Sequence, residues 1–258
     1  MTTEDLASIE EFAQKAAREA GRVTLDYFGG SFEVELKSDD SPVTIADRKA
    51  EELLRNLIEK EFPGHSILGE EFGESSRTGS HRWILDPIDG TKAFVAGVPQ
   101  YTVLIALETG GEVVVGVIYN PTQDRMMSAR LGGGCQLNGQ PVRVSSKASL
   151  AEASILCSDY TNLLKRDPTC GSRVLEICKS APGWGDAYGY SLVAEGKQDA
   201  MIDPKMSYWD VAAVKICIEE AGGIFTDWDG NPGPDVRSGV AANPILHGEI
   251  LKVLGEKR

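Results

Sequence analysis

The chain has 258 residues, with 39 acidic side chains against 26 basic ones and a formal net charge of −13 at pH 7. That length is enough to bury the core of one large domain or two closely packed halves, while the negative excess, with no Lys/Arg block, opposes binding to nucleic-acid phosphates. Apolar stretches such as "YTVLIAL" fall far short of the roughly 20 residues that span a bilayer, and the acidic start "MTTEDLASIEEF" is the reverse of a signal peptide, so a soluble, cytoplasmic chain is expected.

In chain order, Leu6, Ile9, Phe12, Ala13, Ala16, Ala20 and Val23 recur at helical spacing, and Ala46, Leu53, Leu54, Leu57 and Ile58 predict a second helix. Short apolar runs bounded by turn residues follow: "SILGEE", "RWILDP", "YTVLIALE", "VVVGVIYN" and "MMSARL". Asn138-Gly139 marks a tight hairpin before "QPVRVS". These runs predict a largely antiparallel sheet. The polar stretch 145–154 is the best internal boundary, dividing an α+β half (1–144) from an α/β half (145–258) in one compact unit. In the second half "SILCSDY", "GYSLVAEG", "DAMID", "WDVAAVKICIEEAGG" and "GIFTDWDG" alternate between strand and helix. The five cysteines, Cys135, Cys157, Cys170, Cys178 and Cys217, form no CxxC pair and are odd in number, which suits reduced core thiols.

The chemistry gathers in "WILDPIDGTKAF" (83–94). A strand ending at Asp86, a proline without an N–H, and Gly90-Thr91 opening a helical turn would crowd Asp86 and Asp89 beside first-turn amides. Two such carboxylates repel unless a cation lies between them, and hard divalent cations such as Mg2+ take carboxylate and carbonyl oxygens. The adjacent helix start suits a phosphate. The plainer alternative is that Asp86 caps a strand end and Asp89 makes an Asx-turn before Gly90. Glu70 and Glu71 of "GEEFG" stand just past a strand end, either as further ligands or as a solvated pair. Asp210 begins a helix, where N-capping alone would explain it. Thr44 with Asp47 three residues on has the form of a capping box.

Together "GEE", "WILDPIDGT" and "WDVAAVKICIEEAGG" resemble the motif set of the inositol monophosphatase-like family of Mg2+-dependent, lithium-sensitive phosphatases, over essentially the whole chain. The resemblance implies a layered αβαβα sandwich, two or three Mg2+ ions per active site, a small phosphate ester as substrate, and a homodimer. It implies metal ligation by Glu70, Asp86, the Ile88 carbonyl, Asp89 and Asp210. Glu70 and Thr91 would activate the attacking water with Asp47 in support, and the Gly90 and Thr91 amides would hold the phosphate. Substrate contacts would come from Asp89, Gly185, Asp186, Ala187, Asp203 and Asp210. The glycines of "LGGGCQLNGQPVRVS" would be structural, and His65, His81 and His247 lie outside every motif.

Two departures bear on substrate. Inositol enzymes of this family usually read "DGTTNF", whereas this chain has "DGTKAF", and "WGDAYGY" places Asp186 where they have a threonine. Both resemble the histidinol-phosphate phosphatase branch, although 3'-phosphoadenosine nucleotidases also carry a lysine at the position of Lys92, which by itself is compatible with a simple salt bridge. A substrate bearing an ammonium and an imidazole favours carboxylates beside it, which Asp186 and Asp203 can supply, although an N-cap of the helix through "AYGYSLVAEG" would equally explain Asp186. Histidinol-phosphate hydrolysis is thus the expected activity. The alternatives are inositol or sugar-phosphate hydrolysis, the nucleotidase, and a non-catalytic metal-binding regulator.

Overall fold

A computed structural model describes residues 3–30, 34–36, 42–233 and 236–255 of the chain. Helix α1 (Thr3–Leu25) is followed by the short strands β1 (Val34–Leu36) and β2 (Pro42–Thr44) and by α2 (Ile45–Glu61). The main sheet is built from β3 (Ser66–Gly69), β4 (Gly73–Ser75), β5 (His81–Asp89), β6 (Thr102–Thr109), β7 (Glu112–Asn120), β8 (Arg125–Arg130), β9 (Gly134–Leu137) and β10 (Gln140–Pro141), with α3 (Thr91–Val95) between β5 and β6. Its eight strands run in the order β10-β9-β8-β7-β6-β5-β3-β4, and only the β3–β5 pair is parallel. Asn138 and Gly139, at φ 48° and 77°, turn β9 into β10 as the Asn-Gly pair predicts.

After residue 141 come β11 (Ile155–Cys157), α4 (Tyr160–Arg166), α5 (Cys170–Ile177), α6 (Asp186–Ala194), β12 (Ala200–Asp203), α7 (Tyr208–Glu220), β13 (Ile224–Thr226), β14 (Gly239–Ala242) and α8 (Pro244–Gly255). The second sheet has four strands in the order β11-β12-β14-β13. Helices α4, α5 and α8 and strand β14 were not expected from periodicity. Each except α8 is short, and short runs carry little periodic signal.

The layers follow from which faces are apolar. Trp83 and Leu85 of β5, with Val103, Ile105 and Leu107 of β6, pack on α1 and α2, while Ile84, Leu104 and Ala106 point the other way into α6 and α7. A sheet covered on both faces reads as continuous apolar runs instead of an alternation. The far side of α6 and α7 meets the second sheet through Met201, Phe225 and Ala241. The outer face of that sheet packs Ile202, Val240 and Ala242 against Leu246 and Ile250 of α8. The order is α, β, α, β, α, as the resemblance implied. Cys135, Cys157 and Cys217 are free buried thiols and Cys178 is half-buried, whereas the side chain of Cys170 lies outside the described residues. No described helix is long and apolar enough to cross a membrane.

The expected end of β5 at Asp86 needs correction, because the strand continues through Pro87 to Asp89. The register with β6 shifts between Asp86↔Leu104 and Asp89↔Thr102, and β3 stops pairing at Leu85. Pro87 therefore falls in a bulge where no ladder N–H is required.

Helix α7 lies close on β7 because Gly116 has no side chain. A Cβ there would stand 2.4 Å from Ile216 Cγ2 and 2.9 Å from the Ala213 carbonyl. Since that carbonyl is backbone, Gly116→Ala is expected to cost about 1–3 kcal/mol by overpacking. A urea unfolding midpoint unchanged from the parent would show that α7 rides loosely on the sheet.

Candidate active site

At the end of β5 the bulge turns two carboxylates into one buried place. Asp86 is 2% exposed and Asp89 is 7% exposed. The Ile88 amide donates to Asp86 Oδ1 (3.1 Å). Asp89 Oδ2 accepts from the Thr102 hydroxyl (3.1 Å) and from the Ala187 amide (2.7 Å), so Asp89 does not make the Asx-turn weighed as the plainer alternative. Gly90 then takes φ +82°, and an added Cβ would lie 3.0 Å from the Asp186 carboxylate. Both the left-handed backbone and that approach require glycine. The Thr91 hydroxyl donates to the Ile88 carbonyl (3.1 Å).

Three other elements bring acids to the same place. Glu70 stands one residue past β3, where its amide extends the ladder to Leu85 O (3.2 Å), and its side chain hydrogen-bonds to Asp86. Thr44 caps α2 and closes the expected box with Asp47, whose Oδ2 accepts the Thr44 amide (2.8 Å) and hydroxyl (2.6 Å). Asp210 is not itself the N-cap of α7. Ser207 is, and Asp210 completes a capping box by accepting the Ser207 amide (2.7 Å). Oxygens of Asp86, Asp89 and Asp210 all lie within 4.8 Å of one another.

Crowding and burial act on the protons. Burial, then the charges of Glu70, Asp89 and Asp210, push the Asp86 carboxyl well above the usual range. Burial, with Asp186 and Asp210, does the same to Asp89. Asp210 is pushed up to about 7 by burial, outweighing the hydrogen bond from Ser207, and Asp47 to about 6, mainly by burial. The donor set of carboxylates and the Ile88 carbonyl is all hard oxygen, without nitrogen or sulfur, which fits a hard divalent cation that would relieve this repulsion.

Facing the cluster, a cleft of about 340 Å³ is lined on the other side by Ser158, Asp159, Gly185, Asp186, Asp203 and Lys205. Asp186 was weighed as an N-cap of α6. Gly185 holds that position without a side-chain cap, and Asp186 is the first helical residue. It takes φ +54°, a left-handed conformation that aspartate tolerates better than most residues. The Ser158 hydroxyl accepts the Asp186 amide (2.9 Å) and donates to Asp203 (2.7 Å). Asp186 is pushed up to about 6 by burial, against the pull of Lys92. Burial also raises Asp203, against the hydrogen bond from Ser158. Tyr190 is buried against Phe225, whereas Tyr188 reaches Gln123 (3.4 Å).

Three contributors escaped the sequence reading. Glu51, fully buried, accepts the amides of Glu71 (2.7 Å) and Phe72 (3.2 Å) and pairs with Arg55 (2.8 Å), which fixes the turn carrying Glu70. Its signal was present: with Asp47, Ala50, Leu54 and Ile58 it shares the buried stripe of α2. Thr102 was visible only as a polar residue opening an apolar strand, and Ser158 had no signal. The histidines lie elsewhere, with His65 accepting from Trp83 (3.1 Å), His81 beside Thr109 (3.0 Å) and His247 beside Thr226 (2.9 Å). The glycine-rich hairpin is tied by the Gly132 and Gly134 amides to Glu220 (both 2.7 Å), away from the cleft.

Raised carboxyls bind protons more tightly folded than unfolded, so their stabilisation is full below about pH 4 and is lost as pH rises through the folded values. Asp210, at about 7, and Asp86 and Asp89, raised well above the usual range, still titrate above pH 6.5, where unfolded carboxyls have lost their protons. Unfolded histidines hold about half of theirs at pH 6.5, so the lowered His65 and His247 oppose the three carboxyls there without matching them. In chelator, the melting temperature is expected to fall by at least roughly 2–4 °C between pH 6.5 and 8.5, and added Mg2+ should cancel the fall. A flat chelated profile would contradict this electrostatic picture.

The model of the inositol monophosphatase family matches residues 5–258. A histidinol-phosphatase of Chlorobaculum parvum is 42% identical, over 95% of this chain and 96% of its own. One of Streptomyces coelicolor is 37% identical over 95% and 96%. The crystal structure of extragenic suppressor protein suhB from Bartonella henselae superposes with a TM-score of 0.92 at 30% identity, covering 97% of this chain and 100% of that one. With its fold, its clustered acids and a match running through nearly every residue, the chain belongs to the inositol monophosphatase family.

Proposed function

We propose that the chain is a Mg2+-dependent phosphatase that hydrolyses L-histidinol phosphate to L-histidinol and inorganic phosphate, a reaction of histidine biosynthesis. The observation that carries the substrate choice is the acidic wall of Asp186 and Asp203 opposite the cluster, both lining the cleft. A neutral polyol needs hydroxyl partners there, whereas an ammonium or imidazolium on the leaving group is drawn to carboxylates. The names of the histidinol-phosphatase relatives point the same way.

In this reading Glu70, Asp86, Asp89, Asp210 and the Ile88 carbonyl would hold two or three Mg2+ ions. When bound, these supply positive charge that polarises the phosphoryl group, acidifies water and neutralises the leaving alkoxide. The chain's own residues do the rest. The Thr91 hydroxyl, donating to Ile88 O, keeps its oxygen free to accept from the attacking water, and Glu70 takes that water's proton. Asp47, held by Thr44, supports Glu70 from behind. The Gly90 and Thr91 amides hold the phosphate, while Gly185 and Ala187 flank the leaving group with Asp186 and Asp203. Water oxygen bonds to phosphorus as the bond from phosphorus to the ester oxygen breaks, the departing alkoxide takes a proton from solvent water, and no covalent phosphoenzyme forms. Residues 1–144 carry most metal ligands, and 145–258 carry Asp210 and the substrate side. A cytoplasmic homodimer completes the proposal.

The test is phosphate release, with Mg2+, from histidinol phosphate, inositol 1-phosphate and 3'-phosphoadenosine 5'-phosphate compared by kcat/KM. Histidinol phosphate is expected to lead. A lead by either rival would overturn the substrate, and release from none would favour a regulatory role. Asp89→Asn keeps an acceptor for Thr102 and Ala187 but removes a ligand charge. It should lower kcat/KM by at least about 100-fold, since changes one shell further from a metal already cost about 10–100-fold. Full activity in that variant would remove the cluster from the mechanism. Asp186→Asn tolerates the left-handed backbone and should raise KM for histidinol phosphate by about three- to tenfold, with a smaller rise for inositol 1-phosphate. Equal rises would exclude Asp186 as the cation's partner.

A further inference from the structure

Across the cleft an ion pair joins its two sides. Lys92, in the first turn of α3 beside Gly90 and Thr91, reaches Asp159 on the opposite wall (3.2 Å). Asp159 is the N-cap of α4, its Oδ1 accepting the Asn162 amide (2.9 Å), and it lines the same cleft as Asp186. The Lys92 side chain is 76% exposed and that of Asp159 27%. A pair this open is screened by water, contributes little and breaks easily. Both groups act on the Asp186 carboxyl, Lys92 drawing it down and Asp159 pushing it up. Lys92 is therefore the counter-ion of an anionic pocket formed by Asp159 and Asp186, on a side chain long and mobile enough to leave it.

We propose that Asp159 is a specificity-determining residue of the leaving-group pocket, and that Lys92 occupies it as a displaceable latch until a substrate ammonium takes its place. This rests on the histidinol-phosphate reading and adds to it a second carboxylate and a competitor built into the chain. Lys92 departs when the ammonium enters, and remains next to the Gly90–Thr91 segment that receives the phosphate. An ester with a neutral leaving group has nothing to exchange for the lysine, so the latch works against it.

Asp159→Asn isolates the charge, because asparagine caps a helix as well as aspartate. The readouts are the ratio of kcat/KM for histidinol phosphate to that for inositol 1-phosphate, and competitive inhibition by L-histidinol, which has no phosphate for Lys92 to meet. In Asp159→Asn the ratio is expected to fall, and the inhibition constant of L-histidinol to rise, by about three- to tenfold each. In Lys92→Met the inhibition constant should fall, since the competing cation is gone. An unmoved ratio and inhibition constant in Asp159→Asn would overturn the role of Asp159, and weaker histidinol binding in Lys92→Met would overturn the latch. A parent enzyme with no preference for histidinol phosphate would instead fail the substrate reading itself.

Discussion

The arrangement depends on the mutual repulsion of carboxylates that the fold forces together out of water. Asp86, Asp89 and Asp210 come from a strand end and a helix start on opposite sides of a seam, and each is pushed toward its protonated form by burial and by the others. What holds them is consistent in kind. Asp86 accepts an amide, Asp89 an amide and a hydroxyl, and Asp210 an amide. Neutral donors fix the oxygens in direction without cancelling their charge, which a guanidinium in the same place would do. The cluster is left with an electrostatic deficit that a small divalent cation can fill, and the layers of apolar side chain around it keep that deficit large.

In the proposed reaction the two sides of the cleft would serve different ends of one ester. The side built by β5 and α3 offers the acids and the left-handed turn at Gly90. The other, built by β11, α6 and β12, is tied together by one hydroxyl, since Ser158 accepts from Asp186 and donates to Asp203. Because that proton is committed to Asp203, the bridge fixes the Asp203 carboxylate against the main-chain amide of Asp186, where α6 begins. The Asp203 carboxylate and the start of α6 need not find their separation when a ligand arrives, which reduces the ordering cost of binding.

Much of this was legible in the chain because it is local. Helical periodicity gave α1 and α2, the unbroken apolar runs gave the doubly covered sheet, and Thr44 with Asp47 gave a cap. The local spacing in "DPID" placed Asp86 beside Asp89, whereas Asp210, more than 100 residues on, joined them only through the resemblance to the family. What escaped depends on tertiary neighbours. Pro87 was taken as a stop, but a bulge beside β6 lets the strand run past it. Asp186 and Asp210 were weighed as N-caps, and the caps proved to be Gly185 and Ser207, a shift of one and three residues of the kind that local patterns resolve poorly. Glu51 was hidden among apolar positions of α2 because its partners, the amides of Glu71 and Phe72, lie beyond a turn and a strand. Ser158 and Thr102 matter only through residues far away in sequence.

The bond from the Ala187 amide to Asp89 has a consequence for how such a site can diversify. It links the substrate wall to the acidic cluster through main chain, so its strength does not depend on which side chain stands at 186 or 187. The chain there has two nearly independent assignments: the Ala187 amide keeps Asp89 aimed, while the neighbouring Asp186 side chain lines the cleft. Within what the left-handed backbone at residue 186 accepts, as aspartate and asparagine do, the side chain lining the pocket can therefore change while the acidic cluster retains its alignment. Coupling through the backbone is what permits the two functions to vary separately.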